Sequence, residues 1–172
     1  MDKWSRRTFI SKTLKGTAGV FAISILPLGL TACSNRERVD TSTMASLGPI
    51  SELEMGEFPK KVPYKTTVQD AWVEQEMEGF VYINKNNNDN SLIIMSPVCT
   101  HLGCIAGTTE ESKKEEEGVT FYCPCHGGRY DEFGINVGGP PPRPLDVFKT
   151  YIQNGNVYIA ILSPIKREKS KG

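Results

Sequence analysis

Two six-residue windows hold nearly all of this chain's rare chemistry. One is Cys99-Thr100-His101-Leu102-Gly103-Cys104; the other is Cys123-Pro124-Cys125-His126-Gly127-Gly128. Both histidines and four of the five cysteines lie in them, with 18 residues between the windows. Thiolate and imidazole are metal ligands, so the first question is which metal. Two of each suit a four-coordinate zinc site. They equally suit a [2Fe–2S] cluster with both thiolates on one iron and both imidazoles on the other. Either choice uses four ligands and leaves two cysteines over.

The elements that must position these windows read as short strands. Lys65-Thr66-Thr67-Val68 and Ala71-Trp72-Val73 form one candidate strand region. Gly79–Ile83 and Ser91–Met95 flank the turn-rich Asn86-Asn87-Asn88-Asp89-Asn90 and predict a hairpin. Val119–Tyr122 is another strand. Val147–Ile152 and Asn156–Ile161 flank Asn154-Gly155, a strong hairpin signal. The mixed-charge run Glu110–Glu117 between the windows reads as a solvated loop or short helix. The expected class is all-β and antiparallel.

At 172 residues, 38% hydrophobic and 23% charged, the chain is neither disordered nor a polytopic membrane protein. A formal net charge of zero carries no nucleic-acid footprint.

Cys-Thr-His-Leu-Gly-Cys followed by Cys-Pro-Cys-His-Gly resembles the signature pair of the Rieske iron–sulfur proteins. Arg143-Pro144-Leu145-Asp146, after Gly138-Gly139-Pro140-Pro141-Pro142, resembles that family's proline loop and the return to its basal sheet. The likeness runs from Phe80 to Leu162. It implies a fold of antiparallel sheets with an inserted cluster-binding subdomain, near 97–144, inside a domain spanning 49–165. It implies one [2Fe–2S] cluster, held by Cys99 and Cys123 as thiolates and by His101 and His126 as imidazoles. Cys104 and Cys125 would then form a disulfide joining the two loops. Leu102 would pack beside the cluster, and Gly139, Pro140, Pro141 and Pro142 would cover it. Either His101 or His126 would meet a quinol and take its proton.

The family resemblance further implies an electron-transfer subunit, working with cytochrome b, a c-type cytochrome and a quinol. The activity it implies is that of the whole oxidoreductase complex, a quinol–cytochrome c reductase, with this chain as its electron-transfer subunit. Its nearest rival is the small Rieske subunit of another exported oxidoreductase, such as an arsenite oxidase. A Rieske ferredoxin of an aromatic dioxygenase and a structural zinc module are more distant rivals. One departure is informative. Higher-potential members have Ser directly after Cys-Pro-Cys-His-Gly, where this chain has Gly128; Tyr130 is kept as a donor to a ligating sulfur. Losing one hydrogen-bond donor disfavours the reduced, more negative state. The expected potential is therefore lower, suited to menaquinol, and Gly128→Ser is expected to raise it.

The first 33 residues differ in character. They hold five bases and one acid, and Gly16 to Asn35 carries no charge. Ser5-Arg6-Arg7-Thr8-Phe9-Ile10 resembles the twin-arginine export signal, a route for proteins already folded around a cofactor. The apolar run is long enough to span a bilayer as an anchor, or it is cleaved. Leu30-Thr31-Ala32-Cys33 resembles a lipobox, in which Cys33 is lipidated. An anchored chain would keep its domain on the extracytoplasmic face of the cell membrane. Residues 34–48 are polar and read as a flexible tether, and 166–172 as a basic, frayed tail.

Overall fold

A computed structural model describes residues 39–70, 72–112 and 116–168. The export signal, Cys33 and residues 34–38 of the tether lie outside the described residues, and among those described no helix is long and apolar enough to cross a membrane.

Eleven strands form three antiparallel sheets. The first is β1 (Ala45–Pro49), β11 (Asn156–Ile159) and β10 (Tyr151–Gln153), in that order. The second runs β2 (Lys60–Asp70), β3 (Val73–Lys85), β4 (Leu92–Met95) and β9 (Val147–Phe148). The third runs β5 (Gly107–Thr108), β6 (Phe121–Cys123), β7 (Gly128–Tyr130) and β8 (Asn136–Gly138). Two single-turn helices, α1 (Ile50–Leu53) and α2 (Thr109–Ser112), complete the described elements.

The second sheet is the middle layer, which explains why β3 buries Val81, Tyr82, Ile83 and Asn84 in a row. Successive side chains of a strand point to opposite faces. Val81 and Ile83 join Ala45, Leu47, Ile94, Val157 and Ile159 in a core against the first sheet. Tyr82 joins Met95, Phe121, Tyr130 and Leu145 in a second core, which also contains Cys99 and Cys123. Burial of each such large apolar side chain contributes about 1.5–3 kcal/mol. The even-numbered face of β3 thereby carries the third sheet. Tyr82 Oη donates to the Ala106 carbonyl at 3.1 Å, Asn84 Nδ2 donates to the Glu132 carbonyl at 2.8 Å, and the Tyr82 and Phe121 rings stand 4.5 Å apart.

The chain leaves the middle sheet at Met95 and returns at Val147, and these two residues pair directly across β4 and β9. The metal-binding windows are thus an insertion between adjacent strands, as the family resemblance implies. The Asn86–Asn90 hairpin forms between β3 and β4, and Asn154-Gly155 turns with φ of 52° and 77° at its two residues. Both left-handed residues match the type I′ turn whose twist suits a hairpin.

Four expectations need correction. Lys65–Val68 and Ala71–Val73 are not one strand, because Asp70 pairs with Val73 and the chain reverses there. That turn lacks the Gly or Asn that would have marked it. Val147–Ile152 is also two strands, since β9 pairs with β4 while β10 pairs with β11. The tether reading of 34–48 overruns, since Ala45 and Leu47 on β1 are core residues paired to β11. Small residues on alternate positions had masked that strand. Finally, the tail is not frayed at Arg167, whose guanidinium donates to the carbonyls of Leu145 (2.7 Å), Phe133 (3.0 Å) and Gly134 (3.2 Å).

Candidate metal centre

Both windows fold into the same turn. In each, the Gly four residues after the first Cys donates its N–H back to that Cys carbonyl: Gly103 to Cys99 and Gly127 to Cys123, both at 3.0 Å. Gly103 has φ +82° and Gly127 φ +72°, left-handed values that favour glycine. The His of each window falls inside its turn. Val98 and Ile105 bridge the base of the first loop, and Cys123 pairs with Gly128 at the base of the second.

The structure brings the predicted ligands together by type, the two thiols in one buried cluster and the two imidazoles in contact with each other. Cys99 and Cys123 are free thiols, each 2% exposed, and the two imidazoles meet edge to face with centroids 4.8 Å apart. His126 is exposed and His101 half-buried, yet His101 Nδ1 is a buried nitrogen with no hydrogen-bond partner. A buried polar atom left so is costly unless something binds it. Burial pushes the Cys123 thiol pKa up, and the N–H groups of Cys125 and His126, aimed at its sulfur, oppose that shift. Those N–H groups are placed to stabilise a thiolate. The orphaned imidazole nitrogen, the two buried thiols and the aimed backbone donors all fit a metal centre.

Cys104 and Cys125 form a disulfide across the two loops. Their sulfurs and that of Cys123 all lie within 4.8 Å of one another. Two of these three are spent in the disulfide, so Cys123 is the one left to ligate.

Tyr130 Oη lies 3.2 Å from Cys99 Sγ, 3.2 Å from the Thr100 nitrogen and 3.3 Å from Thr100 Oγ1. The direction of these bonds follows from proton counting. The Thr100 N–H can only donate, and the Thr100 hydroxyl gives its proton to the Arg143 carbonyl at 2.6 Å. The phenol proton is therefore left for Cys99 Sγ or Thr100 Oγ1, and as a ligand thiolate Cys99 Sγ is the charged, stronger acceptor of the two. Burial, then Cys99, push the Tyr130 phenol up to about 12, so the donor keeps its proton.

Pro141 is buried, while Pro140 and Pro142 are exposed, so one ring of the proline run packs into the protein. Arg143 pairs with Asp146 at the end of that loop. Leu102 does not pack into the protein; it is 71% exposed at the tip of its turn. Sequence reasoning missed Thr100 and Arg167. Thr100 sits inside the first window, where its hydroxyl was an available signal; Arg167 had none.

The Rieske [2Fe-2S] domain family matches residues 49–149. This chain is also similar to the menaquinol:cytochrome c reductase iron-sulfur subunit of Bacillus subtilis (strain 168), 31% identical over 161 residues and 93% of each chain. The corresponding subunit of Geobacillus thermodenitrificans is 33% identical over 164 residues, again 93% of each.

The chain belongs to the Rieske [2Fe–2S] family.

A Rieske domain carries one [2Fe–2S] cluster, and the two windows are where this one has the donors for it. A more distant relative is the cytochrome b6-f complex iron-sulfur subunit of Chlorobaculum tepidum, 27% identical over 159 residues, 92% of this chain and 76% of that one. The nearly all-β architecture, with its inserted subdomain, is that of the Rieske fold.

Proposed function

We propose that this Rieske protein is the one-electron carrier of a membrane-bound quinol–cytochrome c reductase. It takes electrons from menaquinol at cytochrome b and passes them to a c-type cytochrome. Cys99 and Cys123 are its thiolate ligands; His101 and His126 are its imidazole ligands. The carrying observation is that the two motif loops keep two buried thiols free and set their two imidazoles in contact, one with an unclaimed buried nitrogen. Similarity over nearly the whole chain to two menaquinol:cytochrome c reductase subunits supports the choice of complex and of quinol. The bound cluster supplies a one-electron acceptor, its potential raised because neutral imidazole replaces anionic thiolate.

The chain's own residues do the rest. His126, the more exposed imidazole, offers its outer ring nitrogen to the quinol hydroxyl and receives the proton there. His101 is the inner partner. The Cys104–Cys125 disulfide holds the two turns in register, and Pro141 keeps water from the sulfur side. The twin-arginine signal delivers the folded protein to the extracytoplasmic face, where residues 1–33 or a lipid on Cys33 anchors it.

The test uses the full-length protein purified with its membrane complex. After dithionite reduction, a rhombic electron paramagnetic resonance signal with average g below that of all-Cys [2Fe–2S] ferredoxins, with two irons per chain, is the expected result. One zinc and no signal would overturn the cluster reading and with it the electron-carrier role. Menaquinol should reduce the centre when cytochrome b is present, with a midpoint that falls at alkaline pH. A midpoint independent of pH would remove the proton-accepting role of His126.

A further inference from the structure

Residue 128 opens β7 and is bare. A Cβ built there would lie 2.6 Å from Pro141 Cγ, 3.2 Å from Pro141 Cδ and 3.4 Å from Cys123 Cβ. The first distance is shorter than real Cβ contacts, so space forbids a side chain at this position. Gly139 mirrors it from the other loop. A Cβ there would fall 2.3 Å from the Gly127 carbonyl oxygen and 3.0 Å from Gly128 Cα. The proline loop and the second metal-binding turn therefore mate through two missing side chains. Pro141 fills the space one of them leaves. The loop is held on its far side as well, where Thr100 Oγ1 donates to the Arg143 carbonyl.

We infer that Gly128 and Pro141 are a coupled positioning pair, in which the Pro141 ring occupies the side-chain space of residue 128. Seated where a residue-128 Cβ would stand, a position 3.4 Å from Cys123 Cβ, the ring excludes water and any hydroxyl from that side of a ligand cysteine. This deepens the proposed function and rests on its assignment of Cys123 as a ligand. It also changes what Gly128→Ser does. A serine hydroxyl gives the centre an extra hydrogen bond only when the ring has moved, so an effect at 128 depends on the residue at 141. Pro141→Ala removes Cγ and Cδ, the two atoms that a side chain at 128 would strike.

The experiment is a pair of mutant cycles on the full-length holoprotein. Gly128→Ala and Gly128→Ser are each made with Pro141 and with Pro141→Ala. Thermal midpoint, iron content and reduction potential are read for all. Gly128→Ala should lower the thermal midpoint and iron content with Pro141 present, and do so far less beside Pro141→Ala. Gly128→Ser should raise the potential only in the Pro141→Ala background. Recovery of Gly128→Ala only as the double variant would also support the pair. Equal effects at 128 in both backgrounds, or failure of the double variant to recover, would overturn it. The thermal cycle needs no quinol or cytochrome. A protein that shows the coupling but holds zinc would sink the cluster reading and leave the pair standing.

Discussion

Replacing Tyr130 with Phe removes one proton and little else. The phenol is fully buried, accepts the Thr100 N–H and stands 3.2 Å from Cys99 Sγ, to which it donates when that sulfur is a ligand thiolate. A hydrogen bond to a charged acceptor is worth about 1.5–3 kcal/mol. It exists in both oxidation states, so only its strengthening on reduction moves the potential. If the added electron strengthens it by about 1 kcal/mol, the one-electron scale of 59 mV per tenfold predicts a midpoint lower by about 40 mV in Tyr130→Phe. The half-buried Thr100 N–H also loses its acceptor, a further cost of about 1 kcal/mol in stability. Protein-film voltammetry on wild type and variant, with urea unfolding alongside, measures both. An unchanged or higher midpoint in a variant that keeps its cluster would refute the direction assigned to the Tyr130 proton.

Three further outcomes are expected. The Cys104–Cys125 disulfide spans 21 residues of sequence, so Cys104→Ser with Cys125→Ser should cost about 3 kcal/mol of stability and hasten cluster loss, followed by urea unfolding and by visible absorbance. Arg167→Ala removes donors to three carbonyls flanking the proline loop and should cost about 1–3 kcal/mol, with partial rescue by Lys; a chain as stable as wild type in urea would mean the tail is not a structural strap. Burial, then Glu111, push the Tyr82 phenol from 10.0 to about 12, so the unfolded chain releases this proton first as pH rises. Stability should therefore fall between pH 10 and 12. Tyr82→Phe should cost about 1 kcal/mol at pH 8, through the lost bond to Ala106, and less at pH 11, as read by urea unfolding.

The centre was legible because its code is local. Each window carries its ligands within a few residues of a glycine that can adopt the left-handed turn, so window, turn and ligand types appear together in sequence. Paired Asn-Gly residues and runs of β-branched residues likewise marked hairpins by local conformation alone. The β2–β3 reversal escaped because no turn residue announces it. Strand β1 escaped because its partner, β11, lies at the far end of the chain. Leu102 was expected against the cluster and is exposed, since a turn tip does not face the core that its neighbours enter.

By itself, then, the sequence determined the two Cys/His windows, the antiparallel class and the family, each carried by residues close together in the chain. Tertiary structure decided which thiols stay free and which imidazole is exposed. It also decided that the Tyr130 proton is available to Cys99, that Arg167 closes the loop end, and that Pro141 stands where residue 128 has no side chain. These are contacts between residues distant in sequence, set by the packing of loops against one face of a central sheet, and no local pattern encodes that distance.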